Sequence, residues 1–174
     1  RSGKVIATGG LSDLAQESVT NISAVVKKLT GKDIQDFDLH VQFPGTHNVD
    51  GDSASITMAT AIISAFEGVP IDQNLAMTGS LTVRGEVLPI GGVSAKIEAA
   101  AKSGIERVII PRSNQQDVLI DEKYESQGEI IPVDSLDEVL QHALVGAEEK
   151  VSLVERLANV VDTISSGPDS QPSA

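Results

Sequence analysis

The sequence predicts an α+β or mixed α/β domain with mixed sheets and buried helices. Segments typical of strands and of helices follow one another in an irregular order, whereas one doubly wound parallel sheet would need a regular alternation. Apolar residues make up 40% of the chain but aromatic residues only 2%, so aliphatic side chains must form the core. At 174 residues the chain has the size of a single domain.

The first half of the chain contains two predicted strands and two predicted helices. Residues 4–9 are typical of a short strand, and residues 12–29 of an amphipathic helix that Ser12 caps. The alternating residues 37–43 predict a second strand, which leads through a loop to a helix at 53–68. Because that helix is apolar on nearly every side, we expect it at the centre of the core.

The second half begins with a predicted hairpin. Its strands are residues 75–83 and 86–90, with Arg84 and Gly85 at the turn. The later elements are a helix at 93–104, strands at 107–111 and 129–133, a helix at 134–144 and an amphipathic stretch at 151–161.

The domain organisation follows from these elements. We expect residues 1–146 to form one domain and residues 147–164 to form a C-terminal amphipathic helix. Residues 165–174 have the composition of a disordered tail.

The composition excludes several classes of function. The formal net charge of -12 repels a phosphate backbone, so we expect no nucleic-acid partner. Without cysteine there is no disulfide, no thiolate metal site and no thiol nucleophile. The three histidines lack the spacing of a helical metal pair, and we expect no metal in this domain. No apolar run is long enough to span a membrane, so we expect no membrane contact from it.

Ser53, in the stretch "GDSAS", is the first candidate for catalysis. A serine hydroxyl becomes a nucleophile only when a base takes its proton. The nucleophile elbow of the α/β-hydrolases requires glycine where this chain has Ser55. His40 and His47 are possible bases, and a plain helix cap at Ser53 is the structural alternative.

Lys96 is the better candidate for the base. In the helix 93–104, Glu98 and Lys102 form an ordinary surface pair, whereas Lys96 lies on the side of Val93 and Ala100. Loss of hydration and the nearby helix N-terminus both lower the pKa of a lysine, and a neutral lysine is a competent base. The structural alternative is that Lys96 only extends along the apolar side to reach water.

Two stretches together resemble a known family. "DGDSAS" at 50–55 and "MTGSLTVRGEVLPIGGVSAKIEAAAKSGIERVIIP" at 77–111 resemble the proteolytic domain of the Lon protease family. The likeness extends from about residue 3 to about residue 145, and the "GDSAS" variant resembles the archaeal, or B-type, branch.

The resemblance implies a serine endopeptidase with a Ser-Lys dyad on a compact α+β fold. Ser53 matches the family's nucleophile and Lys96 its general base. Thr78 matches a threonine whose hydroxyl helps to hold the lysine, and His40 matches a histidine with a supporting role near the site. The resemblance implies neither a metal nor a cofactor in this domain.

Asp52 and Ser55 depart from the commoner family pattern. Many members have proline and glycine at these positions, and the B-type branch differs there as this chain does. Asp52 places a carboxylate beside the dyad. Whether it pairs with Lys96 or faces the loop stays open at this point.

The resemblance also implies partners. Members of the family assemble as hexameric rings behind an ATP-driven unfolding module, and they degrade unfolded or damaged polypeptides. The chain has no Walker-type motif, so ATP and Mg are expected only for that module. We expect the chain to lack the domain's opening hairpins as well, and so to be a fragment.

The location and one rival function complete the expectations. The resemblance places the full-length protein on the cytoplasmic side, either soluble or anchored to the membrane through segments not present here. The rival is a non-catalytic Lon-like interaction domain of a DNA-processing ATPase. Retention of Ser53, Lys96 and Thr78 favours the peptidase.

Overall fold

The structure is a computed structural model that describes residues 5–10, 12–33, 36–45, 49–125, 128–146, 151–156 and 158–159. Within these ranges the chain forms helices and three small sheets, which confirms the predicted α+β class.

The first sheet consists of two parallel strands joined by a helix. Strand β1 (Val5–Thr8) pairs with β2 (Leu39–Gln42), and α1 (Asp13–Thr30) connects them. The Ser12 hydroxyl accepts a hydrogen bond from the Ala15 amide at 3.3 Å, so the predicted cap is confirmed.

Helix α2 (Ser55–Glu67) is the central helix, as its composition predicted. It begins after the predicted start, and its N-cap residue, Ala54, has no side-chain cap. Ser53 therefore lies in the turn before the helix, and its hydroxyl is not a helix cap. The buried residues of α2 are Ser55, Ile56, Met58, Ala59, Thr60, Ile62 and Ile63.

The second half forms the other two sheets. Its elements are β3 (Leu75–Met77), β4 (Ser80–Leu81), β5 (Val87–Leu88), α3 (Val93–Lys102), β6 (Arg107–Pro111), a 3-10 helix (Arg112–Asp117), α4 (Glu122–Glu125), β7 (Glu129–Val133) and α5 (Leu136–Ala143). The strands β3, β6 and β7 form a parallel sheet in that order. The bounds of β6 and β7 match the prediction, whereas the pattern predicted neither the 3-10 helix nor α4.

The predicted hairpin is correct only at its tip. Strands β4 and β5 pair antiparallel, but β3 pairs with β6 in the other sheet. The backbone of Gly79 explains the break, because its N–H donates to the Ser53 carbonyl and its C=O accepts from the Ile56 amide. A side chain at this position would meet Val87 and Ile56 at 3.0 and 3.1 Å, so glycine permits the close approach.

The smaller of two apolar clusters fixes helix α3. Val93, Ile97 and Ala100 on the helix pack with Val108 and Ile110 of strand β6. These side chains determine how the helix is rotated about its axis, and therefore where its polar residues point.

The C-terminal segment packs against the rest of the chain. Residues 151–156 are helical, and Leu153 is only 1% exposed within the larger apolar cluster. Arg156 donates to Glu67 at the end of α2, with an N–O distance of 2.8 Å. Residues 147–150 and the predicted tail 165–174 lie outside the described residues.

We predict that Leu153→Ala destabilises the chain, because Leu153 is buried among the side chains of the larger cluster. The expected loss in the free energy of unfolding is about 2–5 kcal/mol. The matched control is Val151→Ala, since Val151 is 53% exposed on the same segment and should change stability by about 0.5 kcal/mol at most. Urea unfolding curves measure both. Equal curves for the two variants would contradict the buried position of Leu153.

Candidate active site

The position of Ser53 is fixed through its backbone carbonyl. This oxygen accepts a hydrogen bond from the Gly79 amide at 2.8 Å and another from the Thr78 hydroxyl at 3.2 Å. Both donors lie at the bend between β3 and β4. The turn before α2 is thus tied to the edge of the three-stranded sheet, and Ser53 is held independently of its own side chain.

Lys96 approaches Ser53 from helix α3. Its Nζ lies 2.9 Å from the Ser53 Oγ and 3.3 Å from the Thr78 Oγ1. The buried residues Val93, Ile97 and Ala100 anchor the helix, so Lys96 stands beside its apolar side as the sequence predicted. The end of the lysine side chain meets hydroxyl groups of the chain at the position where a surface lysine would meet water.

Thr78 has only one hydroxyl hydrogen, and this limits what it offers to Lys96. Thr78 donates that hydrogen to the Ser53 carbonyl, so its oxygen acts as an acceptor toward the Lys96 amine. One N–H of Lys96 is therefore engaged by Thr78. The other N–H groups, or the lone pair when the amine is neutral, are available to the Ser53 Oγ.

Two opposing effects set the protonation of Lys96. Burial lowers the pKa of Lys96 below its ordinary value of 10.5, because the ammonium form loses hydration. The negative charge of Asp52 acts in the opposite direction and raises it. The net direction is downward, toward the neutral amine.

Asp52 interacts with a residue that the sequence did not single out. Its carboxylate accepts a hydrogen bond from the hydroxyl of Ser80, a buried residue of β4. No ion pair within 4.0 Å joins Asp52 to Lys96 among the described residues, although the charge of Asp52 still acts on the lysine. The pairing of Asp52 with Ser80 depends on the bend after β3, and no local pattern at Ser80 points to it.

The two candidate histidine bases are not part of this arrangement. His40 is exposed on β2, and within the described part of the chain it forms no hydrogen bond to Ser53, Lys96 or Thr78. Its supporting role stays a prediction. His47 lies outside the described residues.

Two cavities meet at Ser53 and Lys96, which line both. One has a volume of about 230 Å³, and its other lining residues are Ala54, Ala76, Met77, Thr78 and Val108. The other is a wider cleft of about 670 Å³, lined further by Asp50, Gly51, Asp52, Pro89, Ile90, Gly91, Asn114 and Asp117. Ser53 therefore has an apolar environment on one side and an acidic one on the other.

The described residues contain neither a metal-binding cluster nor a helix that could span a membrane. In this part of the chain no group of three or more His, Cys, Asp or Glu side chains is placed to hold a metal ion. Likewise, none of the helices in the described ranges has the length and apolar character needed to cross a bilayer.

Comparison with known proteins decides the family. A family model of the Lon protease (S16) C-terminal proteolytic domain matches residues 1–146. The chain belongs to this family. The resemblance seen in the sequence is thereby confirmed, and the Lon-type domain covers both stretches that carried it.

The relatives of this Lon-type chain include many archaeal proteins. It is 58% identical over 160 residues to an archaeal Lon protease of Halobacterium salinarum, covering 91% of the chain and 23% of the relative. It is 53% identical over 165 residues to an archaeal Lon protease of Methanothermobacter thermautotrophicus, covering 94% and 26%. A Lon protease of Azorhizobium caulinodans is 40% identical over 162 residues, covering 88% and 19%. The Lon-type chain thus spans about a quarter or less of these relatives.

We predict that Lys96→Met changes how stability depends on pH. The lowered pKa means that the folded chain disfavours the protonated lysine, so this cost is fully present below the folded-state pKa. As the pH rises from there toward 10.5, the parent regains stability that the variant never lost. The stability of Lys96→Met relative to the parent should therefore fall as the pH increases. Urea unfolding of both proteins at pH 7 and pH 9.5 measures the trend, and a constant difference would contradict it.

Proposed function

We propose that this chain is a serine endopeptidase with a Ser53–Lys96 dyad, the proteolytic part of an ATP-dependent Lon-type protease that degrades unfolded or damaged polypeptides. The carrying observation is the 2.9 Å distance between the Lys96 Nζ and the Ser53 Oγ, at a lysine whose pKa burial lowers. A nucleophile and a base within hydrogen-bond reach are the arrangement that acyl transfer requires. Membership in the Lon family supports the same reaction class.

The first chemical step uses the neutral form of Lys96. One amine N–H donates to Thr78, and at the 2.9 Å contact the lone pair takes the place of the N–H that the ammonium form donates to Ser53, so that the Ser53 hydroxyl donates instead. Lys96 takes this proton while the Ser53 Oγ attacks the peptide carbonyl carbon, and the tetrahedral intermediate forms. The resulting ammonium then gives its proton to the leaving amine. Water hydrolyses the acyl ester in the second half of the reaction, again with Lys96 as the base.

The oxyanion requires N–H donors near Ser53, and some of the nearby amides already donate to backbone carbonyls. The amides of Ser55 and Ile56 already donate to the carbonyls of Asp52 and Gly79. Among the described residues, the amides of Ser53 and Ala54 have no such acceptor. We assign the oxyanion to these two, because they lie at the turn from which α2 begins.

The substrate of this reaction is an extended segment of polypeptide. The cleft beside the dyad has a volume of about 670 Å³, which suits an extended segment and is far too small for a folded protein. A side chain next to the scissile bond would fill the cavity lined by Ala76, Met77 and Val108. These residues are apolar, so the fit favours an aliphatic side chain there.

The assembly and the energy source belong to the proposal for the whole protein. The chain spans about a quarter or less of relatives named as Lon proteases, and a hexameric ring with an ATP- and Mg-dependent module is the form we propose for the full-length protein. The rival, a non-catalytic interaction domain of a DNA-processing ATPase, gives no reason to bury an amine against a serine hydroxyl. The charge of -12 also opposes contact with DNA.

We predict that Ser53→Ala and Lys96→Met each lower kcat/KM for an unstructured peptide by at least about 100-fold, because the nucleophile or its base is lost. The matched control is Lys102→Met. It removes an exposed lysine from the same helix, whose amine lies over the ring of Tyr124 and away from Ser53. A fluorogenic peptide assay on folded samples measures all three.

The control should retain the parent's activity. More than a tenth of the parental kcat/KM in folded Lys96→Met would exclude Lys96 as the base.

We predict that Asp52→Asn moves the acidic limb of the kcat/KM profile to lower pH. The limb follows the pKa of Lys96 in the free enzyme, and the Asp52 charge raises that pKa. Asparagine keeps an oxygen that accepts from Ser80 and removes only the charge. Asp121→Asn is the control, since Asp121 pairs with Lys123 and lines neither cavity. An unmoved limb in Asp52→Asn would show that the carboxylate does not act on the base.

A further inference from the structure

Asn114 is a buried polar residue outside the Ser53–Lys96 pair. It lies on the 3-10 helix and is only 2% exposed. Its Oδ1 accepts from the Ile90 amide at 2.8 Å, and its Nδ2 donates to the Ile90 carbonyl at 2.9 Å. The second Nδ2 hydrogen goes to the carboxylate of Asp117 at 3.0 Å. The side chain thus binds both polar groups of one residue's backbone, much as a neighbouring strand would.

The backbone that Asn114 holds is a wall of the cleft. Pro89, Ile90 and Gly91 line the acidic cavity together with Ser53 and Lys96. Gly91 has no side chain to pack, and Gly92, the N-cap residue of α3, has a φ of 70°. The Ile90 side chain packs against the smaller apolar cluster, but the two glycines that follow have no side chain to pack, and the Asn114 amide adds a direct constraint on the Ile90 backbone.

The same loop leads directly into the helix that carries the base. The Lys96 amide donates to the Gly92 carbonyl at 3.2 Å, so Lys96 belongs to the first hydrogen-bonded turn of α3. A shift of the backbone at Ile90 is transmitted through two glycines to this turn. The Asn114 side chain therefore constrains the wall and, together with the apolar packing of α3, the first turn of the helix that carries the base.

A packing role alone would not require asparagine. Burying an amide is unfavourable unless its hydrogen bonds are made, and a leucine would fill a comparable volume without that requirement. Ser94 of α3 already ties the helix to the end of the 3-10 helix, by donating to the Asp117 carbonyl and accepting from the Leu119 amide. Asn114 adds two hydrogen bonds to the backbone of Ile90.

We propose that Asn114 is a positioning residue for the peptidase reaction: it holds the Pro89–Gly91 wall of the cleft and the start of α3, and through them the place of Lys96 at Ser53. This inference rests on the proposed function. Asn114 acts through the backbone of Ile90. Displacing a catalytic group by about 1 Å lowers rates by about 100-fold, so a loose wall has a measurable cost.

The pH profile offers a readout that a purely structural role would not move. A loosened wall admits water to Lys96 and weakens the burial that lowers the pKa of its amine. The ionisable groups that share the cleft with Lys96 are Asp50, Asp52 and Asp117. Asn114→Ala removes none of these charges but releases the Asp117 carboxylate that Asn114 holds, so the same substitution is also compared in an Asp117→Asn background. An acidic limb displaced to higher pH in both backgrounds reports the hydration of Lys96.

The test compares Asn114→Ala with the parent chain and with Ser64→Ala. Ser64 also donates to a backbone carbonyl, that of Val69, but lies at the far end of α2 from Ser53. Hydrogen exchange, kcat/KM for an unstructured peptide and thermal melting are measured on each protein. We expect Asn114→Ala to exchange the amides of Leu88 and of residues 90–92 faster, to lose about tenfold or more in kcat/KM and to show the acidic limb at higher pH. Ser64→Ala should lose thermal stability and keep the kinetics.

A second variant covers the case in which Asn114→Ala fails to fold. Asn114→Asp keeps the shape and the acceptor for the Ile90 amide but loses both donated hydrogen bonds. It should lower kcat/KM in the same direction. Parental kcat/KM and parental exchange at Leu88 and residues 90–92 in either folded variant would overturn the inference, as would an equal loss of activity in Ser64→Ala.

Failure of the proposed function gives a different result. A parent chain that hydrolyses no peptide and whose Ser53 does not react with phenylmethanesulfonyl fluoride would overturn the proposed function and this inference with it. A parent that reacts at Ser53, combined with parental kinetics in Asn114→Ala, overturns the role of Asn114 alone.

Discussion

The candidate site depends on the two hydrogen bonds to the Ser53 carbonyl. The donors, the Gly79 amide and the Thr78 hydroxyl, belong to the bend between two sheets, whereas Ser53 belongs to the turn before the central helix. These bonds join two separate parts of the chain and fix Ser53 through its backbone. The Ser53 side chain remains free to approach Lys96. Since Gly79 must lie against Ile56 and Val87, the same constraint explains why the chain leaves the sheet after β3.

The chemistry rests on a balance of burial and charge at one amine. Burial lowers the pKa of Lys96, and the carboxylate of Asp52 raises it. Ser80 holds that carboxylate beside the site, and no ion pair within 4.0 Å forms with the lysine in the described part of the chain. A direct ion pair would favour the ammonium form of Lys96, which cannot act as the proposed base. In the observed arrangement Asp52 raises the pKa of Lys96 by less than burial lowers it.

Two further features of the fold hold helix α3 where Lys96 can reach Ser53. The cluster around Val93, Ile97 and Val108 sets its rotation, and the Asn114 amide holds the loop that precedes it. Both are needed because Lys96 has a long and flexible side chain, whose end is placed only when its helix is placed. The Asn114 side chain thus supports both the cleft wall and the start of the helix that carries Lys96. The glycines between them make the loop dependent on that support.

The sequence determined most of the elements and the two residues proposed to react. Apolar periodicity located α1, α2, α3 and the buried strands, and the residue types at Ser53 and Lys96 indicated a nucleophile and a base, because both signals are local. Tertiary structure alone decided which strand β3 joins, that Ser80 holds Asp52, that Asn114 grips Ile90 and that Leu153 is buried. Each of these contacts joins residues that meet only because of how the elements pack. The pattern of residues along the chain does not determine that packing.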